Sequence, residues 1–191
     1  MTAADAANAL QAKFASRILK RVNFRGEETL KVDPASLKAV LTHCKIDLGF
    51  DYLVDVSSLD HFGDDTAETR FEMVYELYGY SHGSHLRIKA AVAEDQPVPS
   101  MINLWATADW HEREVYDMMG ITFDGHPDLR RILMWDGYPF FPLRKDFPLE
   151  GKPSEMPEVA FTNVAPLEGG PFVTCSGEGD TITREPRAKR V

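Results

Sequence analysis

Cysteine is scarce in this 191-residue chain, which has only Cys44 and Cys175 and no Cys-x-x-Cys pair. An iron–sulfur cluster needs four ligands, mostly thiolates, so the chain alone cannot ligate one. The same count excludes a cysteine-rich zinc site. Cys44 continues the apolar side of a predicted helix, which indicates a buried small hydrophobic residue and not a reactive thiol.

Long apolar runs and a net basic charge are also missing. No stretch approaches the roughly eighteen consecutive apolar residues of a membrane span, and the N-terminus lacks the layout of a secretory signal. The first eleven residues include Asp5 and no basic residue, unlike an organelle transit peptide. The formal net charge of −9 argues against nucleic acid as the main partner, because phosphate binding needs a basic face. We expect a soluble, cytoplasmic protein that is either bacterial or already processed.

The first 120 residues alternate between helical and strand patterns. Asp33 and Pro34 predict a helix start, and apolar residues follow at helical spacing: Leu37, Val40, Leu41 and Cys44. Further segments predict a short N-terminal helix, a hairpin and a three-stranded antiparallel meander: 2–14, 18–24 with 29–32, and 52–62, 69–80 and 86–92. The predicted fold class is α+β, an antiparallel sheet with helices packed on one face, followed by a long extended C-terminal arm.

A change of composition predicts where that arm begins. After a short helix at 101–105, a second helix should start at Asp109, with Glu112 completing a capping box, and should end at Gly120. Nine of the twelve prolines and seven of the thirteen glycines follow Gly120. Because proline removes a backbone donor and glycine costs more entropy to order, we predict an α+β domain over 1–120 and an extended Pro/Gly-rich arm over 121–191. The apolar side chains in the arm predict that it binds a partner subunit.

Four charged residues lie within two turns of the second helix: Glu112, Arg113, Glu114 and Asp117. One interpretation is a solvated helix face, with Arg113 and Asp117 paired at i,i+4. A second is a partly desolvated ion network that fixes the helix to the arm, with Arg130 and Arg131 meeting the carboxylates. A third is acid–base catalysis, which needs a pocket and a perturbed pKa.

The histidines offer weaker signals. His82 and His85 are three apart beside a strand and therefore point to opposite faces, which disfavours a zinc site. His126-Pro127-Asp128 is typical of a turn.

With these residues in view, the chain resembles the thirty-kilodalton subunit family of respiratory complex I, called the C subunit in bacterial NADH-quinone oxidoreductase. Three blocks show the resemblance: Glu112-Arg113-Glu114 with Asp117-Met118-Met119, then His126, Arg130, Ile132 and Leu133, then Pro142 to Pro148 including Arg144, Lys145 and Asp146. One departure is a longer loop, in which residues 138–141 separate Gly137 from Pro142. The resemblance covers residues 52–151 well.

The resemblance implies a cofactor-free subunit of the peripheral arm of a proton-translocating complex. Flavin and iron–sulfur clusters would lie in partner subunits, which pass electrons from NADH to quinone. This chain would bind the D subunit near the quinone site, with the B and I subunits as neighbours, on the cytoplasmic face of the bacterial inner membrane. It would have no catalytic, cofactor or metal site of its own, and it would meet the membrane only through the complex.

From the same resemblance we expect the family signature and interface residues to be Glu112, Arg113, Glu114, Asp117, His126, Arg130, Arg131, Arg144, Lys145 and Asp146. Two other functions fit the sequence. One is the homologous subunit of a membrane-bound hydrogenase or another quinone- or ferredoxin-linked complex. The other is a stand-alone acid–base enzyme that uses Glu112, Glu114 and His126.

Overall fold

The computed structural model describes residues 1–149 and the backbone of two short strands beyond them. The helices are α1 (Ala3–Phe14), α2 (Leu37–Ile46) and α3 (Ala108–Met119), with 3₁₀ turns at Ala15–Arg17 and Pro34–Ser36. The strands are β1 (Ile18–Phe24), β2 (Glu27–Val32), β3 (Tyr52–Asp60), β4 (Phe71–Gly79), β5 (Ser84–Val92), β6 (Val98–Pro99), β7 (Phe123–Asp124), β8 (Val159–Ala160) and β9 (Asn163–Val164).

Local sequence signals explain the first two helices. Thr2 and Asp5 form a capping box at the start of α1, so two otherwise unpaired backbone donors are satisfied. Asp33 accepts a hydrogen bond from the backbone N–H of Ala35, and Pro34 begins a 3₁₀ turn that leads into α2. The four apolar residues predicted for α2, including Cys44, are all buried. Burial also raises the pKa of the Cys44 thiol to about 12, which makes it unreactive.

The main sheet has five strands in the order β1-β2-β5-β4-β3. The predicted hairpin β1–β2 and the predicted meander β3–β4–β5 are both present and antiparallel. However, β2 pairs with β5 in parallel, with Leu30 opposite Ile88, so the sheet is mixed and the expectation of a purely antiparallel sheet is corrected. The connection from β2 to β5 runs through α2, β3 and β4, and a connection of that length allows strands to run parallel.

The two faces of the sheet differ in chemistry. On one face the alternating residues of β4, Phe71, Met73, Tyr75 and Leu77, are fully buried beneath the helices. The opposite face has a network of ion pairs. In it the Glu72 carboxylate lies 2.8 Å from the Lys89 Nζ and 3.6 Å from the Lys31 Nζ. The helices therefore cover one face, as the α+β prediction requires, and the other face has no helix over it among the described residues.

The chain beyond α3 returns to this domain. Ile121 and Phe123 are buried in the core, and β7 pairs with β6 so that Phe123 lies opposite Val98. We refer to residues 121–149 as the 121–149 segment. We expected an extended arm to begin at residue 121 and to leave the domain. The 121–149 segment instead lies against the domain. The division into 1–120 and 121–191 otherwise stays a prediction, since 150–191 falls outside the described residues except for β8 and β9.

Two smaller features complete the fold. The helix expected at 101–105 is instead a turn, in which the N–H groups of Leu104 and Trp105 both donate to the carbonyl oxygen of Met101. Within the part of the chain that the structure describes, no helix is both long and apolar enough to cross a bilayer.

Candidate functional site

Helix α3 positions the charged motif, and both of its ends have clear causes. It starts after Thr107, and Asp109 does not form the expected capping box, because the side chain of Glu112 turns into the core. The helix ends at Gly120, as predicted, in the left-handed conformation with φ +76°. Glu112, Arg113 and Asp117 are buried and Glu114 is exposed, so the motif divides between the two sides of the helix.

Glu112 is fully buried and holds the turn that precedes α3. Its two carboxylate oxygens accept hydrogen bonds from the Ser100 hydroxyl at 2.6 Å and from the Met101 N–H at 2.7 Å. Burial raises the pKa of Glu112 above its usual range, although these two hydrogen bonds and His126 oppose the rise. The neighbouring Tyr75 is also fully buried, and burial together with the Glu112 charge raises the pKa of its hydroxyl.

Asp117 forms the second buried carboxylate site of α3, and it holds the 121–149 segment. Its Oδ2 accepts three consecutive backbone N–H groups, those of residues 132, 133 and 134, at 3.0, 2.7 and 2.8 Å. Its Oδ1 accepts the Arg131 guanidinium at 2.6 Å. A buried charge is tolerated when its lone pairs are satisfied in this way. Asp117 therefore fixes the backbone of three consecutive residues and the side chain of Arg131.

Two arginines extend this site through carbonyl oxygens. Arg131 donates to the carbonyls of Asp117 at 3.0 Å and Tyr138 at 2.7 Å, so it bridges α3 to the loop at 138–141. Arg113 donates to the carbonyls of Arg130 at 3.2 Å and Arg131 at 3.4 Å. Within the described residues Arg113 makes no ion pair with Asp117. The i,i+4 pair is thus replaced by a longer-range pair between Arg131 and Asp117.

A further buried carboxylate, Asp60 at the end of β3, anchors the end of the segment. It accepts the Lys145 N–H at 2.8 Å and the Arg70 guanidinium at 3.3 Å, and Arg70 also binds Asp146 at 2.8 Å. Burial alone would raise the pKa of Asp60, but the hydrogen bonds from Lys145, Arg70 and Phe62 outweigh it and lower the pKa. Sequence reasoning missed Asp60. The available signal was a carboxylate at an inward-facing strand position, which requires a buried cationic partner.

Arg144 lies between these two anchors and packs over Gly120. Its guanidinium donates to the Met119 carbonyl at 2.6 Å and to Glu94 at 2.8 Å, and it stacks on the Phe141 ring at 4.5 Å. A Cβ at Gly120 would lie 2.7 Å from both Arg144 and Phe141. Gly120 is therefore required for its backbone conformation and also for the close approach of the segment.

The remaining predicted site residues lie outside these anchors. The His126 side chain is fully buried, with Nδ1 accepting the Asp128 N–H at 3.1 Å and Nε2 3.3 Å from the Asp109 carbonyl oxygen. The turn prediction at 126–128 holds, but the Asp128 carboxylate binds Arg130 at 2.9 Å and not its own backbone. Arg130 and Glu114 are both exposed, as is the Lys145 side chain.

This arrangement supports attachment of a segment better than catalysis. Glu112 and Glu114 are two residues apart on a helix, about 200° around its axis, so one faces the core and the other faces water. Asp117 and Asp60 are both occupied by internal donors. The solvated-face interpretation applies to Glu114 only, and the desolvated network describes the buried members of the motif. No group of three or more metal-ligating side chains occurs within the described part of the chain.

Comparison with known proteins decides the family. The model of the family described as respiratory-chain NADH dehydrogenase, 30 kDa subunit, matches residues 30–153, which include α3, both anchors and all ten predicted signature residues. The chain belongs to this 30 kDa subunit family. The resemblance expected from the sequence is thereby confirmed.

Two NADH-quinone oxidoreductase C subunits are similar to this chain in sequence, in agreement with the family assignment. The NADH-quinone oxidoreductase C subunit of Geotalea uraniireducens is 44% identical over 147 residues, which cover 76% of this chain and 88% of that protein. The Rhizobium meliloti C subunit numbered 2 is 46% identical over 134 residues, 64% of this chain and 71% of that protein.

Solved structures agree with the fold. The chain superimposes on a trypsin-resistant fragment (1–134) of Nqo5 with a TM-score of 0.57 and 32% identity, covering 66% of this chain and 98% of the fragment. A chain of the membrane-bound sulfane sulfur reductase, an archaeal respiratory membrane complex, gives a TM-score of 0.64 at 21% identity, over 76% of this chain and 85% of that one. At that identity the likeness concerns the fold.

Proposed function

We propose that this chain is a cofactor-free peripheral-arm subunit of a proton-translocating NADH:quinone oxidoreductase, which supports electron transfer to quinone by holding the D subunit beside the quinone site. The observation that supports the proposal most is the family match, because it spans β3, β4 and β5 of the sheet, α3 and both anchors of the 121–149 segment. The complex would hold flavin and iron–sulfur clusters in other subunits, and this chain would sit peripherally on the cytoplasmic face of the inner membrane, near the B and I subunits.

The geometry supports a scaffolding role. Asp117 and Asp60 attach the two ends of residues 131–146 to the domain, so this stretch of backbone is held in one position. It nevertheless leaves apolar side chains in water, since Leu133 is 55% and Leu143 60% exposed. A fixed backbone with exposed leucines is suited to binding a second protein, because little further ordering is needed on association.

Nine of the ten signature residues divide into two groups under this proposal. Five would shape the surface from inside the chain: Glu112, Arg113, Asp117, Arg131 and Arg144. Four have exposed side chains and could reach the D subunit through charge-assisted hydrogen bonds: Glu114, Arg130, Lys145 and Asp146. His126 is internal and would hold the turn at 126–128.

Purification of the assembled complex tests the proposal. A tag on this chain in its native host, followed by extraction of membranes in mild detergent, should recover the D subunit and the other subunits in equal amounts. The recovered material should oxidise NADH and reduce quinone. If the partners include a nickel-containing subunit and NADH is not oxidised, the chain instead serves a hydrogenase-type complex.

Limited proteolysis tests the binding of the C-terminal residues directly. Trypsin treatment of the isolated full chain should leave a resistant fragment that contains the sheet, and the D subunit should protect residues beyond 149 in the complex. Equal cleavage with and without the D subunit would contradict the proposed arm contact while leaving the family assignment intact.

A further inference from the structure

The helix-free face of the main sheet contains a groove that the site above does not use. Its volume is about 360 Å³, and it lies across β1, β2, β5 and β4. We refer to it as the open-face groove, which is lined by Lys20, Val22, Phe24, Thr29, Lys31, Glu72, Arg87 and Lys89. It is on the opposite side of the sheet from α3 and the 121–149 segment.

The lining of this groove is rich in cations. Four of its lining side chains are cationic and one is a carboxylate, whereas the chain as a whole has a net charge of −9. Lys31 and Lys89 share Glu72, Lys31 also binds Glu68 at 3.1 Å, and Arg87 binds Glu76 and Glu27 at the rim. Lys20 is exposed and makes no ion pair within the described residues. Lys20 is therefore the lining cation that remains open to a carboxylate from another chain.

Apolar side chains form one wall of the groove. Val22 and Phe24 project from β1 with exposed fractions of 41% and 65%. β1 is an edge strand of the sheet, and natural edge strands are usually protected by charge or by a covering element. Two apolar side chains beside four cations on an edge strand fit a covered surface better than a solvated one.

We propose that the open-face groove binds an acidic segment with apolar side chains, contributed by another protein chain. A carboxylate of that segment would pair with Lys20, and its apolar side chains would cover Val22 and Phe24. Three strand spacings, about 14 Å, separate β1 from β4, which leaves room for one helix or one extended segment. The proposed function supplies the multi-subunit setting on which this inference rests.

Other occupants fit less well. Residues 150–191 of this chain contain seven acidic and five basic residues, and four of the basic ones fall in the last eight positions. That segment is close to neutral and basic at its end, so its charge does not complement the groove. An anionic lipid surface would meet the cations but is flat, whereas Lys31, Lys89 and Glu72 line a recess.

The test uses the full chain in the purified complex. A photo-cross-linking amino acid replaces Phe24, and a control replaces Ile46, which is 69% exposed at the end of α2. After irradiation, mass spectrometry should identify a Phe24 cross-link to an acidic segment of one partner. Lys20→Glu should reduce the yield of that cross-link about tenfold, because it places like charges together. Lys38→Glu, the same reversal at an exposed position on α2, should leave the yield unchanged.

Several outcomes would overturn the inference. They are a Phe24 cross-link to residues 150–191 of the same chain, no cross-link in an intact complex, or a yield that Lys20→Glu does not change. A lipid occupant would be indicated if the isolated chain sediments with vesicles of phosphatidylglycerol and phosphatidylcholine and the Lys20→Glu variant does not. That result would also overturn the inference. Failure of the chain to co-purify with any partner would instead count against the proposed function.

Discussion

Asp117 shows how much one side chain contributes to the position of the 121–149 segment. Because its carboxylate accepts three backbone N–H groups and one guanidinium in a buried site, Asp117→Asn should leave donors unpaired. We expect a loss of about 3 kcal/mol in the free energy of unfolding, measured by urea denaturation of the isolated chain. Asp128→Asn removes an exposed carboxylate and should change little. Equal effects would contradict the role of Asp117.

Gly120 provides a prediction with a control built into the chain. Gly120→Ala should cost roughly 1–3 kcal/mol from its positive φ alone, and more from the clash with Arg144 and Phe141. Gly125→Ala has nearly the same backbone strain, with φ +79° and nothing within 4 Å of the added Cβ. Thermal unfolding should rank Gly120→Ala as clearly the more destabilising. The difference in melting temperature between the two variants reports how closely the 121–149 segment packs against Gly120. Equal melting temperatures would mean that the segment shifts to accommodate the added Cβ without cost.

Some residue-level features follow from sequence and others do not. Burial of Cys44 follows from helical periodicity, and the stop at Gly120 follows from helix capping. The pairing of Arg131 with Asp117 was one of three interpretations that the sequence left open, and the choice among them depends on how the chain folds back over fourteen positions. The hydrogen bond from the Lys145 N–H to Asp60 spans eighty-five positions, and the sequence could not predict this partner for the same reason.

At the scale of the element, the 121–149 segment should open as one unit. Arg131→Ala removes the donor that joins Asp117 to the carbonyl of Tyr138, so the backbone near 132–134 should lose protection. Hydrogen–deuterium exchange of those amides should accelerate roughly tenfold or more, while the amides of β4 and β5 stay protected. Arg130→Ala changes an exposed neighbour and serves as the control. Acceleration across the whole sheet would contradict separate opening.

The elements differ in how far the sequence predicted them. The helices and strands up to β5 follow the expected patterns because buried residues recur at helical spacing in α2 and at alternate positions along β2 and most of β5. Residues 101–105 were predicted as a helix but form a single turn, which is closed by the Met101 carbonyl oxygen accepting the N–H groups of Leu104 and Trp105. The 121–149 segment lacks periodicity altogether, so its path follows from buried carboxylates and not from pattern.

For the whole molecule, buried Glu112 predicts how stability changes with pH. Its pKa is raised in the folded chain, so the folded state binds more protons than the unfolded state near that pKa. Stability from this group is present below the unfolded pKa and is lost as pH rises through the folded pKa. Relative to the wild type, Glu112→Gln should therefore gain in melting temperature as pH rises from about 4.

The matched control for that measurement is Glu114→Gln, whose side chain is exposed on the same helix. It should follow the wild-type melting curve across the pH range. A Glu112→Gln difference that stays constant with pH would show that the folded chain does not raise the pKa of Glu112.

The parallel pairing of β2 with β5 has a consequence for synthesis on the ribosome. The hairpin β1–β2 is made first, but the strand that receives it ends only at Val92, after β3 and β4 have emerged. Until then the hairpin has no neighbour on one side, and two-stranded ribbons are marginal alone in water. The N-terminal half should therefore remain incompletely folded and accessible to chaperones until β5 has been synthesised. The pairing of β5 with β2 and β4 then completes the sheet in one late step.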